Sequence, residues 1–363
     1  MIRVMILATD LERGGLPLRL LRLAPTLRAC GVEPIIGCLA RPGPVSGELQ
    51  RAGFETFSCD AVGRFDVSCL RRLASHVRRV NPDVLHGALF HANLAVRLVG
   101  RLDRARPVVT TTVTIEIERR WHRWVESMTA GLSDVHVANS RAVAEHLVGE
   151  LGFPADRVVV IPNAVDAARI ASAPLIDRAA WGISDDEALV IWVGRMDPVK
   201  NLHTLIEGIG MVKQARRVVA VLIGDGPERG RVERQIARCH LEDTVRLVGW
   251  RADAASWMRS ADALVLTSRT EGSPNVVLEA IAAGCPVVAS DLPSCRELIV
   301  DSSLGQLCRV GDAGDFARGL ATVLTAGRRS LDGESRCRLM ERHDLCAIGR
   351  LWRGVYEMAM SHS

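Results

Sequence analysis

The run ALVLTSRTEGSPNVVLEAIAAGCPVVA, residues 263–289, decides the fold. Ala263–Leu266 and Pro286–Ala289 are short apolar runs of strand length. Asn275–Ala283 between them reads as a helix. Two buried strands joined by a helix form a parallel pair, and such pairs build doubly wound sheets. The turn Glu271–Asn275 then stands at a carboxyl strand end, where these sheets bind ligands.

Outward from this unit the same alternation fills the chain. Strands are expected at Arg3–Ala8, Glu33–Leu39, Phe54–Ser58, Asp83–His86, Val108–Thr112, Asp134–Ala138 and Arg157–Ile161. Helices between them include Leu18–Cys30, Val67–Val80, His91–Leu102 and Glu118–Gly131. A stretch from Pro162-Asn163 to about Trp181 has no strong period and reads as a connection. Strands then resume at Leu189–Val193, Val218–Ile223 and Thr244–Val248, ahead of the opening unit. Asp344–Met360 is a final helix with Leu345, Ile348, Leu351, Trp352, Val355 and Met358 in one stripe, which needs a partner. The fold class is α/β, with two Rossmann-like doubly wound parallel-sheet domains facing a cleft, and that cleft is the expected site. The boundaries are 1–162, a connection over 163–182, a second domain over 183–342 and a C-terminal helix over 343–363.

Composition supports a folded two-domain chain of 363 residues, 48% apolar and 24% charged. No apolar run is long enough for a membrane-spanning helix. Met1–Ala8 is followed at once by Asp10, Glu12 and Arg13, so it reads as a buried first strand and not a signal peptide. Ten cysteines lie scattered without CxxC or zinc-finger spacing, which predicts mostly reduced, buried thiols in a cytosolic protein. Residues 1–162 hold 21 Arg, no Lys and 16 acids, net +5; the remainder holds 25 basic and 26 acidic residues, net −1. The cationic first half suits an anionic acceptor or membrane surface, and a solvated face is the plainer reading. Only Lys200 and Lys213 are lysines among 46 basic residues. Lys213 reads as plain surface, whereas Lys200 follows a strand end, where a compact ammonium has a use.

Glu271 and Glu279 stand eight positions apart, one before the helix and one inside it. Asn275 is the expected N-cap, leaving the Val276 and Val277 N–H groups unpaired as an anion site. A capped helix with two surface acids is the bland reading of the same residues. Arg119-Arg120-Trp121-His122-Arg123-Trp124, with Val125 and Met128, reads first as a core-facing helix with a charged outer face. An acceptor or membrane-interface surface is the other reading.

The spacing Glu271 to Glu279 matches the E-x7-E signature of retaining GT-B glycosyltransferases, and EGSPNVVLEAIAAGCPVVASD resembles glycosyltransferase family 4. Four further pieces occur in the family's order: the Gly14-Gly15 loop, Ile161–Asp166, Val193–Asn201 and Leu222–Pro227. The resemblance implies a GT-B fold with an acceptor-side first domain and a nucleotide-sugar-binding second domain. The final helix would pack back on the first domain. It implies that Glu271, Arg195 and Lys200 are catalytic, the two cations facing a donor diphosphate. It assigns donor binding to Gly14, Gly15, Gly224, Gly249, Trp250, Gly272, Ser273, Pro274, Asn275, Val276, Val277 and Glu279. The activity implied is transfer of a hexose-type sugar from a UDP- or GDP-linked donor to a glycan or lipid-linked acceptor, with retention, in envelope or exopolysaccharide assembly. No metal and no cofactor are expected, and no nucleic acid partner. The expected location is the cytoplasm, with peripheral contact at the inner membrane face.

The chain departs from the family pattern in three places. No His follows Val109–Thr114; the H-x-H keeps only its first member in His86-Gly87-Ala88; and Pro293-Ser294 replaces a Gly-Gly before Glu297. His86 and His91 are the acceptor-side candidates, each equally readable as structural. A nucleotide-sugar epimerase of the same fold would spread acids and bases without E-x7-E. A nicotinamide oxidoreductase would need G-x-G-x-x-G in the first domain, which Gly14-Gly15 does not supply.

Overall fold

The computed structural model describes residues 1–63, 66–102, 106–114, 120–327 and 333–361. The chain forms two compact units, Met1–Ala164 with Leu345–Ser363, and Val165–Asp344. Unit 1 holds seven strands: β1 Ile2–Ala8, β2 Val32–Cys38, β3 Thr56–Ser58, β4 Val84–Ala88, β5 Val108–Thr112, β6 Val135–Ala138 and β7 Val158–Val160. Their order is β3-β2-β1-β4-β5-β6-β7, and every pairing is parallel. Unit 2 holds β8 Ala188–Val193, β9 Val218–Ile223, β10 Val245–Gly249, β11 Ala263–Leu266, β12 Val287–Ser290 and β13 Gly305–Cys308. Their order is β10-β9-β8-β11-β12-β13, again all parallel. Each sheet therefore has a switch point, between β1 and β4 in unit 1 and between β8 and β11 in unit 2.

Strand sequence follows from burial on both faces. In β1, Val4, Ile6 and Ala8 pack with Leu20, Leu27 and Trp352, while Met5 and Leu7 pack with Leu73, Val96 and Val99. In unit 2, Leu189 and Ile191 face Leu278 and Ile281, and Val190 and Trp192 face Leu205 and Ile209. Strand β13 has no counterpart among the expected strands. Its sequence GQLC is short, edge-placed and only half apolar, so it carries no run to read. The stretch expected as a connection contributes Val165 and Ile170 to the core of unit 2.

The final helix, Leu345–Ser361, packs on helix Gly15–Ala29 in unit 1. A Cβ at Gly349 would meet Thr26 Cγ2 at 2.7 Å and Cys30 Sγ at 2.9 Å, so the two backbones approach closely there. The buried line is Ile348, Trp352, Val355, Tyr356 and Ala359, whereas Leu351 and Met358 of the expected stripe are exposed. The stripe was wide enough to hold two phases, and Tyr356 fixes the one adopted.

Two further expectations change. Of the ten free cysteines, five are buried, two half-buried and three exposed, so burial is less general than expected. The expected helix Glu118–Gly131 is Arg120–Thr129 followed by a 3-10 turn, with Glu118 and Arg119 outside the described residues. Trp121, Trp124 and Met128 are exposed on it, and His122 and Glu126 are buried, so it does not turn its apolar residues to the core. The reason is an ion pair beneath it. Arg97 is 1% exposed and donates to Glu126 Oε2 at 2.5 Å, Thr129 Oγ1 at 3.0 Å and Ser133 Oγ at 2.9 Å.

Two histidines are sealed in unit 1. His86 is hydrogen-bonded through Nδ1 to the Tyr356 hydroxyl at 3.0 Å and through Nε2 to Thr111 Oγ1 at 2.7 Å. Burial, with the Arg19 charge second, pushes its pKa down to about 3. His136 pairs with Thr110 Oγ1 and the Ala130 carbonyl, and burial, with Arg97 second, also pushes it to about 3. Both folded-state values lie below the unfolded one of 6.5. As pH falls through that window the unfolded chain takes up protons that the folded chain refuses, so stability declines. At about pH 5 each should cost roughly 2 kcal/mol relative to about pH 7. Urea unfolding at the two pH values should show a lower midpoint in acid, and His86→Gln should remove about half the drop. An identical acid sensitivity in His86→Gln would exclude His86 as a source.

Candidate functional site

The carboxyl ends of β10, β9, β8 and β11 lie side by side in unit 2. They are followed by Trp250, Gly224-Asp225-Gly226, Arg195 to Lys200, and Thr267 to Glu271 respectively. The loops are joined by backbone bonds: Gly224 N donates to Gly249 O, Met196 N to Asp225 O, and Arg269 N to Val199 O. A Cβ at Gly224, whose φ is +142°, would overlap the Gly194 carbonyl oxygen, so only glycine lets β9 leave the sheet so close to β8.

Lys200 and Glu271 meet across the switch point. Lys200 ends a 3-10 turn, Pro198–Lys200, and Asn201 after it is left-handed at φ +49°. Thr267 Oγ1 lies 3.1 Å from the carbonyl oxygens of both Lys200 and Asn201 and caps this turn from β11. Lys200 Nζ then donates to Glu271 Oε1 at 2.6 Å, and Ser268 Oγ donates to the same oxygen at 2.7 Å. The two side chains are 20% and 12% exposed. Solvent screens such a pair weakly, and removing one partner strands the other charge. Glu271's own carbonyl accepts from Ser294 Oγ at 2.9 Å, which fixes the loop behind it. Arg195 stands apart from this cluster: it is 74% exposed and pairs with Asp197 at 3.3 Å.

Helix Asn275–Ala282 begins differently from expectation. Pro274 is its N-cap, extended at φ −74° and ψ 102°, and no side chain caps it. Asn275 is thereby drawn into the first turn. Val277 N and Leu278 N both turn back to the Pro274 carbonyl. The first-turn donors without a hydrogen bond among the described residues are those of Asn275 and Val276, one residue earlier than the expected pair. Gly272 is buried, and Ser273, Asn275, Val276 and Glu279 are half-buried around this end.

In unit 1, helix Gly15–Ala29 starts directly after Gly14, and a Cβ at Gly15 would meet nothing within 4 Å. The protein itself has no need of glycine there. His86 is enclosed by Tyr356 and Thr111, with Trp352 against its ring at 4.9 Å. His91 is half-buried, with its ring 5.5 Å from that of His122. Sequence reasoning missed Ser268, which carries no signal beyond lying three residues before Glu271. It also missed Leu89, left-handed at φ +73° directly after β4. Asn93 holds that corner, donating to Thr111 O at 3.1 Å and accepting from Thr111 N at 3.3 Å.

Two family models match the chain, "Glycosyltransferase Family 4" over residues 13–169 and "Glycosyl transferases group 1" over residues 187–326. The chain belongs to glycosyltransferase family 4. Its similar relatives include the lipopolysaccharide core biosynthesis glycosyltransferase LpsE of Rhizobium meliloti, 30% identical over 61% of this chain and 61% of LpsE. A phosphatidyl-myo-inositol mannosyltransferase of Mycolicibacterium smegmatis is 29% identical over 95% of this chain and 90% of its own length. The alignment to LpsE thus spans less than two-thirds of that relative. Among solved structures, Anabaena HepE in complex with UDP and glucose superimposes with a TM-score of 0.83, at 21% identity, covering 98% of this chain and 99% of HepE. The family 4 chain has the GT-B fold of these neighbours, two Rossmann-like parallel-sheet domains.

Substituting Gly224 tests the geometry without reference to activity. Gly224→Ala should lower the stability of the chain by about 3 kcal/mol or more, since both the φ and the Gly194 carbonyl oppose a side chain. Thermal unfolding would measure it, and an unchanged midpoint would show that β8 and β9 do not approach as described.

Proposed function

We propose that this chain is a retaining glycosyltransferase that moves a hexose-type sugar from a nucleoside diphosphate sugar to a glycan or lipid-linked acceptor in cell-envelope or exopolysaccharide assembly. The observation that carries the reading is the Lys200–Glu271–Ser268 cluster at the switch point of unit 2. It sets an ammonium and a carboxylate at the point where a doubly wound sheet receives a nucleotide. Names of relatives lend support: LpsE acts in lipopolysaccharide core biosynthesis, and HepE was solved with UDP and glucose. The donor base is UDP or GDP in this reading.

The chemistry needs charge stabilisation more than a strong base. The bond from the anomeric carbon to the diphosphate oxygen breaks, and a bond from that carbon to the acceptor hydroxyl oxygen forms on the same face. The hydroxyl proton passes to the departing phosphate oxygen. Lys200 and Arg195 offset the charge that grows on that diphosphate, and preorganised cations in a partly dry site do this without reorganisation. Lys200 is held in place beforehand by Glu271, while Arg195 is exposed and closes on the ligand. Asn275 and Val276 offer first-turn N–H groups, and Gly14-Gly15 leaves room at a helix start in unit 1. Glu279 binds the ribose hydroxyls, and Glu271 with the following backbone holds the donor sugar. Trp250 and Gly249 line the donor side. His91 is the better acceptor-side candidate, because both ring nitrogens of His86 are occupied.

A panel of UDP- and GDP-sugars scored for nucleoside diphosphate release should find one productive donor. With it, Lys200→Ala and Arg195→Ala should each lower kcat/KM by about a hundredfold or more. Wild-type turnover in Lys200→Ala would refute the reading.

The two carboxylates should separate by titration calorimetry. Glu279→Gln should weaken nucleoside diphosphate binding, because a ribose contact is made equally in ground and transition states. Glu271→Gln should instead lower kcat with nucleotide affinity retained. Unchanged nucleotide affinity in Glu279→Gln would remove it from the ribose.

A further inference from the structure

An ordinary surface helix hides its apolar side and shows its charges. Helix Arg120–Thr129 does the reverse. Its inward face carries His122, 3% exposed and stacked on Phe90 at 3.8 Å, and Glu126, paired to buried Arg97. Its outward face carries Trp121, Trp124 and Met128, exposed by 56%, 65% and 66%. The ion pair with Arg97 locks this rotation, because turning the indoles inward would strand two buried charges. The helix packs against Phe90–Leu102, on which Leu98 and Leu102, one turn apart, are also exposed. Arg101, one turn beyond Arg97, is exposed and makes no ion pair among the described residues. Arg123 flanks this face and pairs with the exposed Glu150 at 2.8 Å.

We propose that this face docks unit 1 on the surface of an anionic phospholipid bilayer. Indoles and arginines together suit the headgroup zone, where a ring is half apolar and a guanidinium meets phosphate. The sign of charge agrees: residues 1–162 carry net +5, all of the basic residues being Arg. Among the described residues no helix is long and apolar enough to cross a membrane, so the contact lies in the plane of the surface. The proposal extends the transferase reading without resting on it, since binding is scored with no donor present.

The full chain would be sedimented with vesicles of mixed phosphatidylglycerol and phosphatidylcholine, and with phosphatidylcholine alone. Binding should favour the anionic vesicles and weaken with salt. The triple variant Trp121→Ser, Trp124→Ser, Met128→Ser should bind about tenfold more weakly or worse, and Trp124→Ser alone should show part of that loss. All three side chains are exposed, so the thermal midpoint should stay near wild type. Brominated lipid should quench tryptophan emission of the wild type more than that of the triple variant. Equal binding by wild type and variants, or no binding to anionic vesicles at low salt, would overturn the proposal. So would a lipid-free dimer that the triple variant dissolves, which would assign the face to a second copy.

Discussion

Two parallel neighbours whose following loops leave in opposite directions cannot fill the space between those loops with backbone. This constraint acts between β8 and β11, and the rest of unit 2 is arranged around it. The gap is closed by side chains, Lys200 from one strand and Glu271 from the other. Thr267 and Ser268, the first residues after β11, serve both sides: one binds the Lys200 turn and the other the Glu271 carboxylate. The glycine corner at Gly224 brings a third strand end up to the same place. A charged pair in this position is kept near water on one side and held by fixed donors on the other. That is the condition under which a charge stays available to a ligand without loosening the fold.

Much of this was legible in the sequence because turn chemistry and strand length coincide at the carboxyl ends. Glu271–Asn275, Arg195–Lys200 and Gly224–Pro227 each stand where a short apolar run stops, and each lands on the same edge of one sheet. What stayed hidden has physical causes. Apolar spacing gives the width of a helix stripe and leaves its phase open, so Leu351 and Met358 were drawn into a face that Tyr356 and Ala359 occupy. The rotation of helix Arg120–Thr129 depends on Arg97, which lies 29 positions from its partner Glu126 and carries no local signal of that pairing. Strand β13 has too little apolar content to register. The cap at Pro274 turned on backbone torsion, which favoured a residue without a capping side chain over Asn275 beside it.

The two buried polar systems of unit 1 divide its work. Arg97 with Glu126, Ser133 and Thr129 secures the helix that shows its indoles. His86 with Tyr356 and Thr111 secures the final helix to the sheet. Each is satisfied by hydrogen bonds within the protein, and each specifies one orientation of a helix that apolar packing alone would leave with alternatives.

The return of Leu345–Ser361 to unit 1 has a consequence for the order in which the protein matures. Unit 2 is an uninterrupted segment, Val165–Asp344, and its core is complete once that segment has been synthesised. Unit 1 begins first, yet lacks Ile348, Trp352, Val355 and Tyr356 until the chain beyond Asp344 has been made. During translation the later unit is therefore the earlier one to be finished. The opening residues wait with only part of that apolar sheet face covered, by helices such as Gly15–Ala29, in the period when a nascent chain is most exposed to aggregation.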